Sequence, residues 1–480
     1  MNWFYILPEI IIAGTAAVIV ITDLIRRNPG LSTILALAGI VASFICACIC
    51  KAPSGPLFDG MLLIDGWSRL TRALVLIVAA GVIAASKDYQ DMFKNRWAEY
   101  NALALFALLG MMLMAAAGNL ISVFVAIEVT TISFFILVGI GKNPRSSEAS
   151  LKMLLTGAIA SAVLLYGMAF IFGISGGTGL TDIGLGHHVD PTASSFSAGL
   201  LIGMFLIMAG LFFEIGAVPF HMWLPDTYEG APTPVTMYLS GGSKIAGIAI
   251  IARIFGVAFT NPQALGAEWG VVMAVISAIT MTLGNILALR QSNIKRLLAY
   301  SGIAHTGYML IGIASIGMNA QSSGDGKLFF YMAAFALAEV AVFTAIIILT
   351  RQLQGERIAD FAGLARRSPL LFAILSIGLL SLMGIPLTAG FMAKLFIFTS
   401  ALESGLLWLV IIAVINTVIS AYYYLSIIRV MWSADSTGEP PVKLPKTAGL
   451  VSLLAGAAVI ILGIAPSILL KLTEKLIALP

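Results

Sequence analysis

Charge is what this chain of 480 residues has least of: 10% of its residues are Asp, Glu, Lys or Arg, against 59% hydrophobic. A soluble domain carries about 25% charged residues, so a water-solvated globular fold is excluded. The net charge of +4 leaves no basic surface for nucleic acid. Cysteine is equally scarce. The three present, Cys46, Cys48 and Cys50, alternate inside one apolar run. On a helix, steps of two residues scatter thiols around the axis, so they cannot converge on a metal and are expected to be small buried hydrophobes. There is no glycine-rich phosphate loop after a strand and no haem or iron–sulfur cysteine spacing. No cofactor and no metal site are therefore expected in this chain. Apolar sequence begins almost at Met1, without a basic leader region or a small-residue cleavage site, so no cleavable signal is expected.

What the chain does have is apolar runs of about 20 residues, each long enough to cross a hydrocarbon core of about 30 Å. They predict an all-α integral membrane protein with about 14 transmembrane helices. The predicted spans are 4–23, 32–50, 69–86, 100–117, 119–140, 149–174, 197–218, 232–257, 270–289, 297–318, 327–350, 369–402, 406–430 and 447–470. The polar stretches around 86–99, 351–368 and 433–446 are too short to bury a core. With the N-terminus outside, 18 of the 27 Lys and Arg fall on the inner side and 7 on the outer, where His187 and His188 also lie; Lys244 and Lys394 sit at membrane depth. The positive-inside rule then places both termini on the outer, periplasmic side of a bacterial or archaeal plasma membrane.

Two predicted spans are interrupted, the seventh at Pro219 and the twelfth at GIPLTAG, residues 384–390. Paired interruptions point to inverted repeats with ion sites at the breaks. The polar residues concentrate between Phe212 and Ile245, which hold Glu214, His221, Asp226, Glu229 and Lys244 among four prolines and a run of small residues. Six ionisable groups fall deep in six different spans: Glu128, Glu214, Lys244, His305, Glu339 and Lys394. Each costs roughly 2.5–3.5 kcal/mol at membrane depth and needs a partner, a polar cavity or a function. His305 has a bland reading as a core histidine satisfied by a backbone carbonyl, and Glu339 one as a neutral acid holding a hydrogen bond. The two lysines need a counter-charge or must lose their proton, which makes them proton sites. A polar path inside a helical bundle is the first hypothesis. Glu148 and Lys152, four residues apart at the mouth of the sixth span, read equally as an interface anchor or as part of an access path.

Long segments then resemble a known family. LPEIIIAG at 7–14, EYNALALFALLGMMLMA at 99–115, SSEASLKMLLTGAIASAVLLYG at 146–167, GAVPFHMWLPDTYEGAPTPVT at 216–236, QSNIKRLLAYSGIAHTGY at 291–308 and LMGIPLTAGFMAKL at 382–395 resemble the subunit N family of complex I. These are the antiporter-like membrane subunits of proton-translocating NADH–quinone oxidoreductase. The resemblance implies an N-terminal three-helix segment over 1–99, a first five-helix repeat over 100–258, a second, inverted one over 259–432, and a last helix within 433–480. It implies proton movement along a mid-membrane chain, coupled to quinone reduction in partner subunits of the membrane arm. Quinone, flavin and iron–sulfur clusters would be held by those partners. Glu128, Lys244, His305 and Lys394 match family positions, whereas Glu214 stands where the family has lysine. Glu214 would then face Glu128, with Lys244 as its expected counter-ion, and Glu339 would add a second acidic station. The alternative is a subunit of a multi-subunit cation/proton antiporter, and a pure scaffold would leave the buried charges dispensable.

Overall fold

The computed structural model describes residues 3–49, 55–185, 198–259, 263–318, 324–353, 355–433 and 441–477. Cys50, His187 and His188 lie outside them. Helices follow the apolar runs because hydrocarbon offers backbone groups no water, and the helix satisfies them internally. In chain order they are α1 (Leu7–Ile25), α2 (Pro29–Ile49), α3 (Gly66–Ser86), α4 (Trp97–Ala116), α5 (Leu120–Gly139), α6 (Pro144–Ser175), α7 (Leu180–Leu185), α8 (Ala198–Ile215), α9 (Trp223–Gly230) and α10 (Thr233–Tyr238). Then come α11 (Lys244–Val257), α12 (Gln263–Ala288), α13 (Ile294–Met318), α14 (Gly324–Leu353), α15 (Leu364–Arg367), α16 (Pro369–Met383), α17 (Ala389–Glu403), α18 (Leu407–Trp432), α19 (Lys446–Ile464) and α20 (Ser467–Ile477). One two-stranded hairpin, Pro56–Leu57 with Leu62–Leu63, precedes α3.

Twelve helices among the described residues are long and apolar enough to cross a membrane. Two shorter apolar helices, Gly199–Ile215 and Pro369–Met383, fall at the two predicted interruptions. Fourteen is reached only by counting both interrupted stretches as crossings. Helix starts are fixed by side chains at the polar ends: Asp65, Asn119 and Asn143 each cap the next helix through a serine three residues on, offsetting the unpaired first N–H groups.

The bundle has a centre and a rim. Residues of α10–α11, α13 and α14 are almost entirely buried in protein, whereas α1, α2, α6, α18 and α19 leave most of their length on the outside. Thiols on α2 share that rim: Cys48 is exposed and Cys46 only half-buried, so the expected burial of the cysteines does not hold. Lipid solvates apolar side chains, and a helix at the rim has no reason to turn them inward.

Ion pairs gather at opposite ends of the bundle. At one end Arg145 meets Glu229 and Glu356, Arg296 meets Asp226 and Glu229, and Lys295 meets Glu356. Lys152 spans Glu148 and Asp226 at 2.9 Å each. At the other end Arg253 holds Asp65, Arg72 holds Glu9, and Lys327 holds Glu403. Asp226 and Glu229, which belong to the polar stretch around the first break, are therefore end anchors and not mid-membrane groups.

Candidate functional site

The first break begins one residue after Glu214. Helix α8 ends at Ile215, Gly216 turns the chain at a φ of +67, and the Val218–Pro219 peptide is cis. Carbonyls freed there still find donors: Thr306 Oγ1 donates to Ile215 O at 3.0 Å and Trp223 Nε1 to Phe213 O at 3.1 Å. The second break follows the same logic. Helix α16 ends at Met383, Gly384 has a φ of +91, and Lys394 Nζ donates to the Met383 carbonyl at 2.8 Å. Interrupted backbone at membrane depth is tolerated because protein groups replace the lost helical partners.

A third irregularity was not legible as a break. Between α10 and α11 the residues Leu239–Ser243, reading LSGGS, form a π-helical turn. Its small side chains allow close packing: a Cβ on Gly242 would meet Tyr238 and the Met111 sulfur within 3.0–3.2 Å. The turn offers two hydroxyls to two acids on different helices. Ser243 Oγ donates to Glu214 Oε1 at 2.9 Å, and Ser240 Oγ donates to Glu339 Oε2 at 2.8 Å.

Lys244 follows directly. Its ammonium lies against Gly302 of α13, where an added Cβ would come within 2.8 Å of Nζ, and 5.9 Å from the centre of the Phe335 ring. Lys244 Nζ and Glu339 Oε1 are buried without a hydrogen-bond partner among the described protein atoms. Glu214 takes its hydrogen bond from Ser243 and Lys244 Nζ makes none, so no direct ion pair joins the two. The expected pairing of Lys244 with Glu214 is thus corrected. The π turn aims Ser243 at Glu214 and leaves the lysine facing α13 and α14. Glu128 on α5 accepts a short hydrogen bond from Ser161 of α6 and is only partly buried.

On the far side of Lys244 stands His305, 4% exposed. Its Nδ1 meets the Tyr331 hydroxyl at 2.8 Å and its Nε2 meets that of Tyr424 at 3.3 Å, so both ring nitrogens face side-chain hydroxyls. Tyr424 also shares a short hydrogen bond with Ser301. The imidazole packs against Phe335, near whose ring Lys244 lies, and against Tyr308, near whose ring Lys394 lies, which places it between the two lysines. Lys394 lies 4.8 Å from the centre of the Tyr308 ring. The Tyr308 hydroxyl meets Asn285 at 3.5 Å and Thr417 at 3.4 Å, and Asn285 continues to Asn416 and Tyr423.

The structure spreads the six predicted groups over α5, α8, α11, α13, α14 and α17, and among the described residues no two of them share a direct hydrogen bond. As an interior string, Glu128 and Glu214 come first, Glu339 and Lys244 in the middle, and His305 with Lys394 last. His221 is only half-buried and stays outside it. Sequence reasoning missed Ser161, Ser240, Ser243, Tyr331 and Tyr424, each of which hydrogen-bonds one of these groups, and Ser301, which holds Tyr424. Their one signal was the recurrence of hydroxyls and small residues within otherwise apolar runs. Among the described residues no group of three or more His, Cys, Asp or Glu could hold a metal ion.

The family described as NADH:quinone oxidoreductase/Mrp antiporter, TM, matches residues 117–420. NADH-quinone oxidoreductase subunit N of Dehalococcoides mccartyi is 42% identical over 475 residues, covering 98% of both chains. A chain of respiratory complex I from Thermus thermophilus superposes with a TM-score of 0.80 at 28% identity, covering 97% of this chain and 98% of that one. A chain of the Mrp complex from Dietzia sp. reaches a TM-score of 0.84 over 99% of this chain and 98% of its own, at 19% identity, and so shares the fold.

Proposed function

The chain belongs to the NADH:quinone oxidoreductase/Mrp antiporter membrane family as a relative of subunit N, and from that premise we propose that it moves protons in the membrane arm of a complex I-type enzyme. Quinone reduction takes place in partner subunits and alters the charge at one end of the interior string. Protons then pass along Glu128, Glu214, Glu339, Lys244, His305 and Lys394 through hydroxyls and water. The chain itself performs no electron transfer; flavin, iron–sulfur clusters and quinone belong to its partners. Each hop follows from a neighbour's charge, because a charge a few ångströms away in a low-dielectric interior favours or opposes ionisation.

The observation that carries this reading is the burial of Glu214, Lys244, His305, Glu339 and Lys394 on α8, α11, α13, α14 and α17, in the interior of the bundle. Apolar packing of a mere scaffold gives no reason to collect acids, lysines and a histidine there. We further read residues 100–258 and 259–432 as the two inverted repeats, flanked by 1–99 and 433–480. The paired breaks at 216–222 and 384–388, each beside an ionisable group, support this. The Lys/Arg-rich end would face the cytoplasm, with both termini on the outer side of an energy-transducing plasma membrane.

The test is Lys244→Ala in the assembled complex reconstituted into vesicles. Proton pumping should fall by about tenfold or more for a lost transfer group, with the complex still assembled. Unchanged pumping would remove Lys244 from the relay. Sodium-dependent proton flux without any electron donor would instead identify a cation/proton antiporter subunit.

A further inference from the structure

At the end of the bundle opposite the Lys/Arg-rich one, Arg253 holds Asp65, Arg72 holds Glu9 and Lys327 holds Glu403. Arg69, in the first turn of α3, holds no acid among the described residues. Its Nε is buried without a hydrogen-bond partner among the described protein atoms, and the carboxylate one turn before it, Asp65, is already taken by Arg253. A buried guanidinium nitrogen without an acceptor costs free energy that a bound anion removes.

Arg69 lines an apolar groove of about 450 Å³ between α2, α3, α14 and α20. On α3 the wall is Arg69, Ala73 and Ile77, and on α14 it is Phe329, Ala333 and Leu337. Each set steps by four residues and so keeps to one helix face. Alanine in the middle of both sets leaves a hollow that larger side chains would fill. From Arg69 to Ile77 the helix rises about 12 Å, against about 15 Å for half of a hydrocarbon core. The groove therefore starts at headgroup depth and ends near the middle of the bilayer, the reach of one acyl chain in one leaflet. A partner's transmembrane helix would need a track along the whole bundle.

Helix α20 closes the same end. Its Thr473 is fully buried against Gly326 at the start of α14, where an added Cβ would come within 3.2 Å of the threonine Oγ1. Leu472 and Leu476 line the groove, and Lys471 and Lys475, each one position before a leucine, are exposed. Glu474 is two positions from either leucine, about 200° round the helix, and belongs to the opposite face. The rim thus carries Arg69, Lys471 and Lys475 above an apolar wall. Long cationic side chains of this kind lay their stems on apolar surface and keep their heads at the interface.

We propose that this groove is a site for a phospholipid with an anionic headgroup, its phosphate held by Arg69 and flanked by Lys471 and Lys475, with one acyl chain lying between α3 and α14. A guanidinium matches a phosphate with two parallel N–H donors, whereas the lysines add charge without fixing geometry. The cationic rim favours phosphatidylglycerol over phosphatidylcholine, whose trimethylammonium would face like charge. The site stands apart from the proton relay, none of whose members lines it.

The experiment strips the assembled complex of lipid in a neutral detergent and adds back phosphatidylglycerol or phosphatidylcholine in mixed micelles. It reads thermal unfolding and the lipid retained after repurification. Phosphatidylglycerol should raise the unfolding temperature of the parent at concentrations where phosphatidylcholine does not. Arg69→Gln, and Ala73→Phe, which fills the groove with a ring, should retain less phosphatidylglycerol and need about tenfold more of it for the same rise. Arg69→Lys should fall between them and the parent. A parental response in Arg69→Gln, or an equal response of the parent to both lipids, would reduce the groove to a place for bulk lipid and overturn the site. Cys48 on the groove wall reports the occupant directly. In a chain whose other two cysteines are serine, benzophenone maleimide on Cys48, illuminated in the native membrane, should cross-link phospholipid enriched in phosphatidylglycerol. Cross-linked lipid of bulk composition, or cross-links to another protein chain, would overturn the site, the latter making the groove a subunit interface. This readout decides alone should the Arg69 and Ala73 variants fail to assemble.

Discussion

Ser240 and Ser243 stand three residues apart on one π-helical turn, and their hydroxyls go to acids on different helices, Glu339 of α14 at 2.8 Å and Glu214 of α8 at 2.9 Å. Lys244 is the next residue. One turn of backbone thereby fixes two acids and a base in a buried interior, where adding or removing a single proton changes a net charge that every member feels. The turn, and not a direct ion pair, organises the centre of the string.

Replacing Glu214 with glutamine keeps an acceptor for Ser243 but removes the titrating oxygen. Pumping should fall by about tenfold or more, as for loss of a proton-transfer group, while the amount of assembled complex is unchanged. Normal pumping by Glu214→Gln would show that this acid only holds Ser243 in place. Glu214→Lys restores a protonatable group of opposite charge and should pump better than the glutamine form but below the parent.

Gly302→Ala tests the seat of Lys244 without touching a polar atom. The added Cβ would come within 2.8 Å of Nζ, and only the far end of a flexible side chain has to yield. Stability should therefore change by less than about 1 kcal/mol, whereas pumping should drop severalfold because the ammonium leaves its place against α13 and the Phe335 ring. Equal thermal stability with undiminished pumping would mean that the position of the ammonium is immaterial.

Most of the fold was legible because hydrocarbon imposes one rule, helices with apolar surfaces, and the sequence carries that rule in its run lengths. The charged members of the string were legible for the same reason: Glu128, Lys244 and Lys394 stand out against apolar neighbours. What links them was not. Ser240 and Ser243 cost little at membrane depth, so nothing marked them off from packing serines. The π turn that aims them leaves no proline behind. Sequence proximity favoured an ion pair between Lys244 and Glu214, but the π turn gives Glu214 to Ser243 and leaves the lysine against Gly302 and Phe335. The thiols were misjudged because apolar composition does not tell the rim of a membrane bundle from its centre.

At the opposite end from the Arg145, Lys295 and Arg296 ion pairs, Asp65 caps α3 and holds the nearly fully buried Arg253 through two hydrogen bonds of 2.8 and 2.7 Å. Burial pushes the Asp65 carboxyl up, but Arg253 and the Ser68 hydrogen bonds more than offset this and hold it below its ordinary value. Its contribution is therefore complete above the usual aspartate range near pH 4 and is lost as pH falls through the depressed value. Asp65→Ala should cost about 2–3 kcal/mol, the sum of a lost cap and an unpaired buried guanidinium, discounted because the Asp65 side chain is 39% exposed. Thermal unfolding of the assembled complex between about pH 3 and 6 should show an acid-dependent step in the parent that the variant lacks. The same step in both would assign it to another carboxylate.

The sharpest separation of charge from proton transfer lies at Lys394. Its Nζ donates to the Met383 carbonyl that the second break sets free, and its chain lies 3.0 Å from where a Cβ on Gly384 would stand. A cation there satisfies the open end of α16 whether or not it ever gives up its proton. Arginine keeps that positive charge and can donate to the same carbonyl, but it does not deprotonate in proteins. Lys394→Arg should therefore assemble and fail to pump. Lys394→Met, which lacks both charge and donor, should fail to pump and also lose stability by about 1–3 kcal/mol, because a buried carbonyl is left unpaired. If Lys394→Arg pumps at the parental rate, the lysine acts as a fixed charge at a helix end and the relay must pass from His305 to the far side by the Tyr308, Asn285 and Asn416 network instead.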